Sequence, residues 1–269
     1  MLNRITLGAL VYAAMLAPAT APAATPAATP AITPAATLDG APAGMTAERI
    51  LEATDRVRGG GVSGMEWQLK ITATDSDTGS DVREVHVKSS GDNSLAETTF
   101  PPRAAGGRLL QVGRNMWYGR PDLQKPVSIS SRQKMLGPAA NGDIASTNYL
   151  QDYDATLLRT EEVDGEPAYV LGLVGKTKWV TYDRIEYWVS KRRLVPVKAA
   201  FFTVSGKLFK TAVFETNNDV AIDGKRHAFV SRMTIRDAIN TDSISVLDYS
   251  QVKVAAFSRY DLSVEALTR

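Results

Sequence analysis

The side chains that could carry catalytic chemistry in this sequence are few and widely separated. The 269 residues include two histidines, His86 and His227, and no cysteine. A zinc site needs three or four nitrogen, sulfur or oxygen ligands close together, and two distant histidines without cysteine cannot form the usual sets. We therefore interpret each histidine as a strand or turn residue, and the sequence predicts neither a metal nor another cofactor.

Groups suited to hydrolysis are present but not organised by the sequence. No Gly-x-Ser-x-Gly motif, which presents the serine nucleophile of many hydrolases, occurs in the chain. A Ser-His-Asp triad assembled by the fold stays open, because triads are recognised by geometry rather than by chain order. The carboxylate pairs Asp152/Asp154 and Glu161/Glu162 could serve a glycosidase, but exposed turns and strand edges explain them. A hydrolase of envelope lipids or glycans is thus an alternative that no sequence motif supports. We predict that the protein is not an enzyme.

One segment, Gly172-Leu173-Val174-Gly175-Lys176-Thr177, is superficially like a phosphate-binding loop. That motif requires a glycine five positions before the Gly-Lys-Thr, where this chain has Val170, and it requires a helix afterwards. The segment is therefore predicted to be a turn that ends a strand.

The elements that must position any site are strands. Between Trp179 and Glu215, three apolar or alternating runs are separated by the polar turns 190–193 and 205–207. Such alternation with a period of two is typical of strands with one buried face. The run Ala199–Phe202 is apolar on both faces, which indicates a strand that lies between the interior and a second cover or a partner.

The same alternation continues through the rest of the chain. It is clearest from Met65 to Thr72, and it predicts about eleven strands and two to four short helices. Because no long helix separates successive strands, the sheet is expected to be antiparallel, closed as a barrel or open as a half-barrel. A helix over 45–57 and an irregular insertion over 121–150 are the candidate covers of its apolar face.

The first 44 residues differ in composition from the remainder. One arginine, Arg4, precedes an apolar run that is too short to span a membrane, and small residues follow, so residues 1–23 are predicted to be a signal peptide. Cleavage is expected after Ala19 or Ala23. Residues 24–44 are rich in alanine and proline and are predicted to be a disordered tether, and 45–269 a single domain. The protein is expected to be exported to the periplasm without lipidation, since it lacks cysteine. Its net charge of +2 gives no support for nucleic-acid binding.

A broad apolar sheet face with few helices to cover it points to an acyl chain or similar ligand. An ordinary filled core is the alternative, and the pattern alone does not decide between them. The residues predicted to line the ligand share the inward parity of their strands: Trp67, Leu69, Trp117, Tyr187, Val189, Phe201, Met233 and Ile235.

Three segments resemble the LolA-like family of outer membrane lipoprotein-sorting proteins. They are GDIASTNYLQDYDATLL (142–158), KTKWVTYDRIEYWVSKRRLVPVKAAFFTVSGKLFKTAVF (176–214) and SRMTIRDAINTDSISVLDYSQVKV (231–254). The resemblance implies an α+β, mainly β fold: an eleven-stranded antiparallel half-barrel with a short helical lid over a concave apolar face. It also implies a non-enzymatic carrier of lipid or lipoprotein acyl chains between the inner and outer membranes.

The resemblance further implies transient membrane contact and an RND-type inner-membrane exporter as a partner. The long Ala/Pro tether departs from LolA itself, and the cargo remains open between a lipoprotein and another lipid. The alternative function is a periplasmic sensor or adaptor of the same fold, which would detect a lipid or mislocalised lipoprotein and signal to a membrane partner.

Overall fold

The computed structural model describes residues 44–76 and 79–268. The predicted signal peptide, residues 1–23, and residues 24–43 of the predicted tether lie outside the described residues.

The chain enters the described domain through helix α1 (Ala47–Val57). Thr46 caps it, because its hydroxyl oxygen accepts a hydrogen bond from the backbone N–H of Arg49 at 3.3 Å. Ile50, Leu51 and Thr54 form a buried stripe on one side of this helix, and Ile50 and Leu51 are fully covered. The helix therefore packs onto the sheet through one face.

Seventeen strands and two further helices follow within the described ranges. The strands are β1 (Met65–Asp75), β2 (Gly79–Ser90), β3 (Asn93–Phe100), β4 (Arg108–Val112), β5 (Asn115–Gly119), β6 (Val127–Ile129), β7 (Lys134–Leu136), β8 (Ala139–Ala140), β9 (Tyr153–Val163), β10 (Glu166–Gly175), β11 (Arg184–Ser190), β12 (Pro196–Phe202), β13 (Leu208–Glu215), β14 (Asn218–Ile222), β15 (Lys225–Phe229), β16 (Arg232–Asp237) and β17 (Ile244–Val254). The helices are α2 (Asn141–Ala145) and α3 (Tyr149–Asp152), and 3-10 turns occur at Pro102–Ala104 and Val264–Thr268.

Thirteen of these strands form one antiparallel sheet. Its order is β6-β5-β4-β3-β2-β1-β17-β16-β13-β12-β11-β10-β9, so β6 and β9 are its two edges. The expected antiparallel sheet is confirmed, but the predicted number of about eleven strands is too low. One added strand, β6, forms inside the insertion that lacked a strand pattern, because its backbone pairs with β5 from Met116 to Tyr118.

The main sheet curls on itself. Thirteen flat strands would be about 60 Å wide at the usual spacing of ~4.8 Å. Yet Arg132, three residues beyond the β6 edge, forms an ion pair with Asp183, which immediately precedes β11 near the other edge. The sheet must therefore bend until regions near its two edges meet, and one face becomes an interior.

The outer face of the sheet carries two small apolar clusters. In one, Trp188 packs with Val170 and Ala200, and the ammonium of Lys198 lies 4.8 Å from the centre of a Trp188 ring. Phe202 packs against this cluster. The outward side of the Ala199–Phe202 run is thus covered by neighbouring strands of the same sheet, so it does not require a partner.

Candidate functional site

Seven of the eight predicted lining residues come together on the inner face of the curled sheet, here called the covered face. Each of them is at most 1 % exposed. They belong to one continuous apolar cluster, which also includes inward residues from β3 to β5 and from β9 to β13. The seven are Trp67, Leu69, Tyr187, Val189, Phe201, Met233 and Ile235.

Trp117 is the exception, and its expected inward position is corrected by the structure. It packs in a separate cluster with Leu95, Leu110 and the C-terminal residues Leu262 and Leu267. Its neighbour Met116 points into the main cluster instead. Successive residues of a strand face opposite sides of the sheet. An error of one residue in this five-residue strand therefore assigned Trp117 to the wrong face.

Short elements close the covered face, and we call them together the cover: α1, α2, α3 and the hairpins β7–β8 and β14–β15. α2 has an especially close contact, because a Cβ atom added to Gly142 would lie 1.9 Å from the hydroxyl oxygen of Thr181. Only glycine permits this approach. Of the predicted covers, α1 and the later part of the 121–150 insertion, from β7 onward, pack on the apolar cluster of the sheet. The β14–β15 hairpin is a cover that the sequence did not indicate.

A buried tyrosine–carboxylate pair holds α2. The hydroxyl of Tyr182 donates to the carboxylate of Asp143 and lies 2.7 Å from both of its oxygens. Asp143 also accepts a hydrogen bond from the backbone N–H of Ala140 at 2.8 Å. Burial raises the pKa of Tyr182 well above its ordinary range, so this residue remains a proton donor.

The β7–β8 hairpin is fixed to the sheet through Ser245 of β17. The serine hydroxyl donates to the backbone oxygen of Leu136 at 2.8 Å and accepts from the N–H of Ala139 at 3.2 Å. One serine of the sheet thus satisfies a backbone acceptor and a backbone donor of the hairpin.

A second polar centre, which sequence reasoning missed, joins α1 to α3. Asp55 accepts a hydrogen bond from the backbone N–H of Leu150 at 2.8 Å, and the guanidinium of Arg58 lies 4.3 Å from the centre of the Tyr149 ring. Asp55 and Arg58 are 2 % and 4 % exposed. The sequence does place Asp55 and Arg58 beside the stripe of α1 that contains Ile50, Leu51 and Thr54. That position could have indicated that both charged side chains are buried.

Several polar atoms of this interior lack hydrogen-bond partners within the described residues. They are Oδ1 of Asp55, Nη1 of Arg58 and Nε1 of Trp67. Burial is the main reason why the pKa of Asp55 rises to about 7. Hydrogen bonds from the backbone N–H groups of Leu150 and Tyr149, and then the charge of Arg58, lower this pKa only in part. Each unsatisfied buried group costs roughly 1–3 kcal/mol, so the closed arrangement of cover and sheet carries an internal cost.

The two edge regions of the sheet meet at what we call the seam, residues 129–132 against 178–183. Arg132 makes a two-pronged ion pair with Asp183 at 2.7 and 2.9 Å. The same guanidinium donates to the backbone oxygens of Val180 and Lys178 at 2.8 and 3.1 Å. One arginine therefore ties the β6 side of the sheet to the loop before β11.

Two clefts open to solvent near the rim of the sheet. The larger, of about 500 Å³, is lined by Ala73, Thr74, Asp75, Gly79, Ser80, Asp81, Arg103, Lys134, Leu136, Gly137 and Ser243. The smaller, of about 300 Å³, lies at the seam and includes Arg114, Ile129 and Trp179. Trp179 is 67 % exposed. Both clefts are bordered by polar as well as apolar side chains.

Within the described ranges, no group of three or more His, Cys, Asp or Glu residues is arranged to hold a metal ion. The helices of that part of the chain are all too short or too polar to cross a membrane.

Comparison with known proteins identifies the fold and the family. A family model described only as that of an uncharacterized protein matches residues 90–269, and a search of curated proteins gives no match. A LolA superfamily protein from Nitrosomonas europaea is 34% identical, with a TM-score of 0.75 over 83% of this chain and 100% of that chain.

Two further solved structures share the fold at lower identity. A domain assigned as an outer membrane lipoprotein-sorting protein from Vibrio parahaemolyticus is 21% identical, with a TM-score of 0.70 over 83% of this chain and 98% of its own. A DUF1329 family protein from Desulfovibrio piger is 22% identical, with a TM-score of 0.67 over 82% and 97%. The resemblance found in the three sequence segments is confirmed: this chain belongs to the LolA superfamily.

Proposed function

We propose that this protein is a non-enzymatic periplasmic carrier that shields acyl chains of a lipid or lipoprotein on its covered face. Membership of the LolA superfamily supports the fold of such a carrier. The predicted signal peptide, residues 1–23, supports export. The carrier would move its cargo between the inner and outer membranes, with an RND-type exporter as donor and transient contact with the acceptor membrane.

The observation that carries this proposal is the composition and closure of the covered face. It is a continuous apolar and aromatic surface on a thirteen-stranded sheet, and short helices and two hairpins close it instead of further strands of that sheet. Such a cover can move away without breaking the main ladder of hydrogen bonds. An acyl chain can then replace it against the same side chains.

Burial of an acyl chain supplies enough free energy for this exchange. Each methylene removed from water contributes about 0.8 kcal/mol, so a chain of ~16 carbons gains on the order of 10 kcal/mol before costs. The costs are the ordering of the chain and the displacement of α1 and α2 from the sheet. Unsatisfied atoms such as Oδ1 of Asp55 and Nη1 of Arg58 already penalise the closed state, which reduces the cost of opening.

The lipid content of the native protein tests the proposal. Protein purified from the periplasm should yield a bound lipid by mass spectrometry. The purified protein should also bind a fluorescent fatty acid, which unlabelled lipid displaces. Recovery without lipid, together with no binding of the probe, would overturn the proposal.

A transfer experiment then separates a carrier from a sensor of the same fold. Protein loaded with the fluorescent fatty acid should deliver it to acceptor vesicles at a rate that rises with vesicle concentration. Binding without delivery would contradict carriage and would support the sensor or adaptor.

A further inference from the structure

A lysine projects into the apolar interior from β13. The inward residues of this strand are Lys210, Ala212 and Phe214, and Lys210 is only 4 % exposed. Ala212 and Phe214 belong to the main apolar cluster. An ammonium among such residues is costly to bury unless an anion or another strong partner meets it.

The described residues do not supply that partner. The ammonium of Lys210 contacts aromatic rings, 5.4 Å from the ring centre of Tyr182 and 5.5 Å from that of Phe209. It makes no hydrogen bond or ion pair with the residues that the structure describes. Burial accordingly lowers the pKa of Lys210 from its ordinary value.

The two nearby acids already have other partners. Asp143 binds the hydroxyl of Tyr182 and the N–H of Ala140. Asp237 accepts hydrogen bonds from the N–H groups of Ile239 and Asn240 at 2.8 and 3.0 Å. Their charges raise the pKa of Lys210 but do not offset its burial. Asp237 is the cross-strand neighbour of Lys210 on β16, yet neither carboxylate forms an ion pair with the ammonium within the described residues.

The strand register places Lys210 at one end of the predicted ligand-lining surface. Phe201 lies directly opposite it on β12. In the next inward row Ala199, Ala212 and Ile235 are neighbours, and in the row after that Phe214 is paired with Met233. Rows are about 7 Å apart, so this surface extends about 14 Å beyond the lysine. Ala199 and Ala212 are adjacent and have short side chains, so they leave room above the sheet where a chain would lie.

We propose that Lys210 is the anchor for an anionic headgroup, so that the covered face takes a single-chain amphiphile with a carboxylate or phosphate. The acyl chain then lies over Ala212 and Ala199 toward Met233, and the headgroup takes the place beside the ammonium. This inference rests on the proposed function and specifies its ligand class.

Competition binding with matched ligands tests the anchor. A neutral apolar dye serves as the probe, and hexadecanoate, hexadecyl phosphate and methyl hexadecanoate compete for the site. The wild-type protein should bind the two anions at least about tenfold more tightly than the ester, because only the anions can make a charge-assisted contact with the Lys210 ammonium. Equal affinities in the wild type would overturn the inference, whatever the variants do.

Variants locate the effect at Lys210. Lys210→Met keeps the apolar stem and should abolish the preference for anions while the ester still binds. Lys210→Arg should retain the preference, and Lys207→Met, on the exposed turn before β13, should leave it unchanged. Anion preference that survives in Lys210→Met would exclude the lysine as anchor. If none of the three ligands binds to the wild-type protein or displaces the dye from it, that result would instead overturn the proposed function itself.

Discussion

At the scale of single residues, Asp55 shows how burial turns an ordinary helix residue into a pH-sensitive contact. Its carboxylate accepts the backbone N–H of Leu150 and so links α1 to α3. Desolvation raises its pKa from 3.8 to about 7. Between these two values the folded protein holds the proton more tightly than the unfolded chain does, so the free energy of unfolding falls as the pH rises.

We predict that Asp55→Asn removes this part of the pH dependence. Asparagine can still accept from Leu150 but cannot ionise. Between about pH 5 and pH 8 the wild type should lose up to about 3 kcal/mol more unfolding free energy than the variant does, as measured by urea denaturation. Asp122→Asn, which changes an exposed carboxylate, should behave like the wild type. Parallel curves for wild type and Asp55→Asn would contradict the assignment.

At the scale of elements, the seam depends on one side chain that contacts several backbone groups. Arg132 binds Asp183 and the backbone oxygens of Lys178 and Val180. Its side chain is 37% exposed, so solvent weakens the ion pair. Arg132 therefore acts mainly by restraining the loop before β11, and the ion pair itself contributes little to stability.

We predict that Arg132→Ala loosens the seam with only a small loss of global stability, about 1 kcal/mol. Hydrogen exchange should become faster at amides 178–183 and stay unchanged in β1 and β17. Arg120→Ala is a matched control, because Arg120 is 38% exposed and pairs with Asp122 on the same loop. An equal effect of both substitutions on residues 178–183 would show that Arg132 does not fasten the loop.

At the scale of the whole molecule, the two faces of the main sheet pack separate apolar clusters. The covered face holds the cluster proposed to receive the acyl chain, which includes Trp67. The opposite face packs Trp117 against the C-terminal residues Leu262 and Leu267. The same substitution on each face therefore separates ligand binding from packing.

We predict that Trp67→Phe weakens binding of a fluorescent fatty acid by about three- to tenfold, because it removes apolar contact area from the ligand surface. Trp117→Phe should leave the affinity unchanged. Titration of the probe into both variants measures the difference. Equal weakening by both would show that the binding surface extends to the C-terminal side of the sheet.

The sequence predicted most of the strands, and in the long strands it predicted which side chains face inward. Met65, Trp67, Leu69 and Ile71 alternate strictly over a strand of eleven residues, and all are buried on one face. It failed for Trp117, because a five-residue strand contains too few alternations to fix its parity. The insertion was predicted to be a cover, but only its later part packs over the sheet, and its β6 strand pairs with β5 at the sheet edge.

The sequence by itself determined the antiparallel sheet, the helix α1 and the family, because these depend on local periodicity and on residue order. Only the tertiary structure decided which side chains meet. The meeting of Arg132 with Asp183 depends on the curl of the sheet, and the contact of Asp55 with Leu150 depends on the packing of α1 on α3. The lack of an ion pair between Lys210 and Asp143 accompanies the hydrogen bond of Asp143 to Tyr182, which lies far from it in the chain. These relations join residues distant in the chain, and no local pattern encodes them.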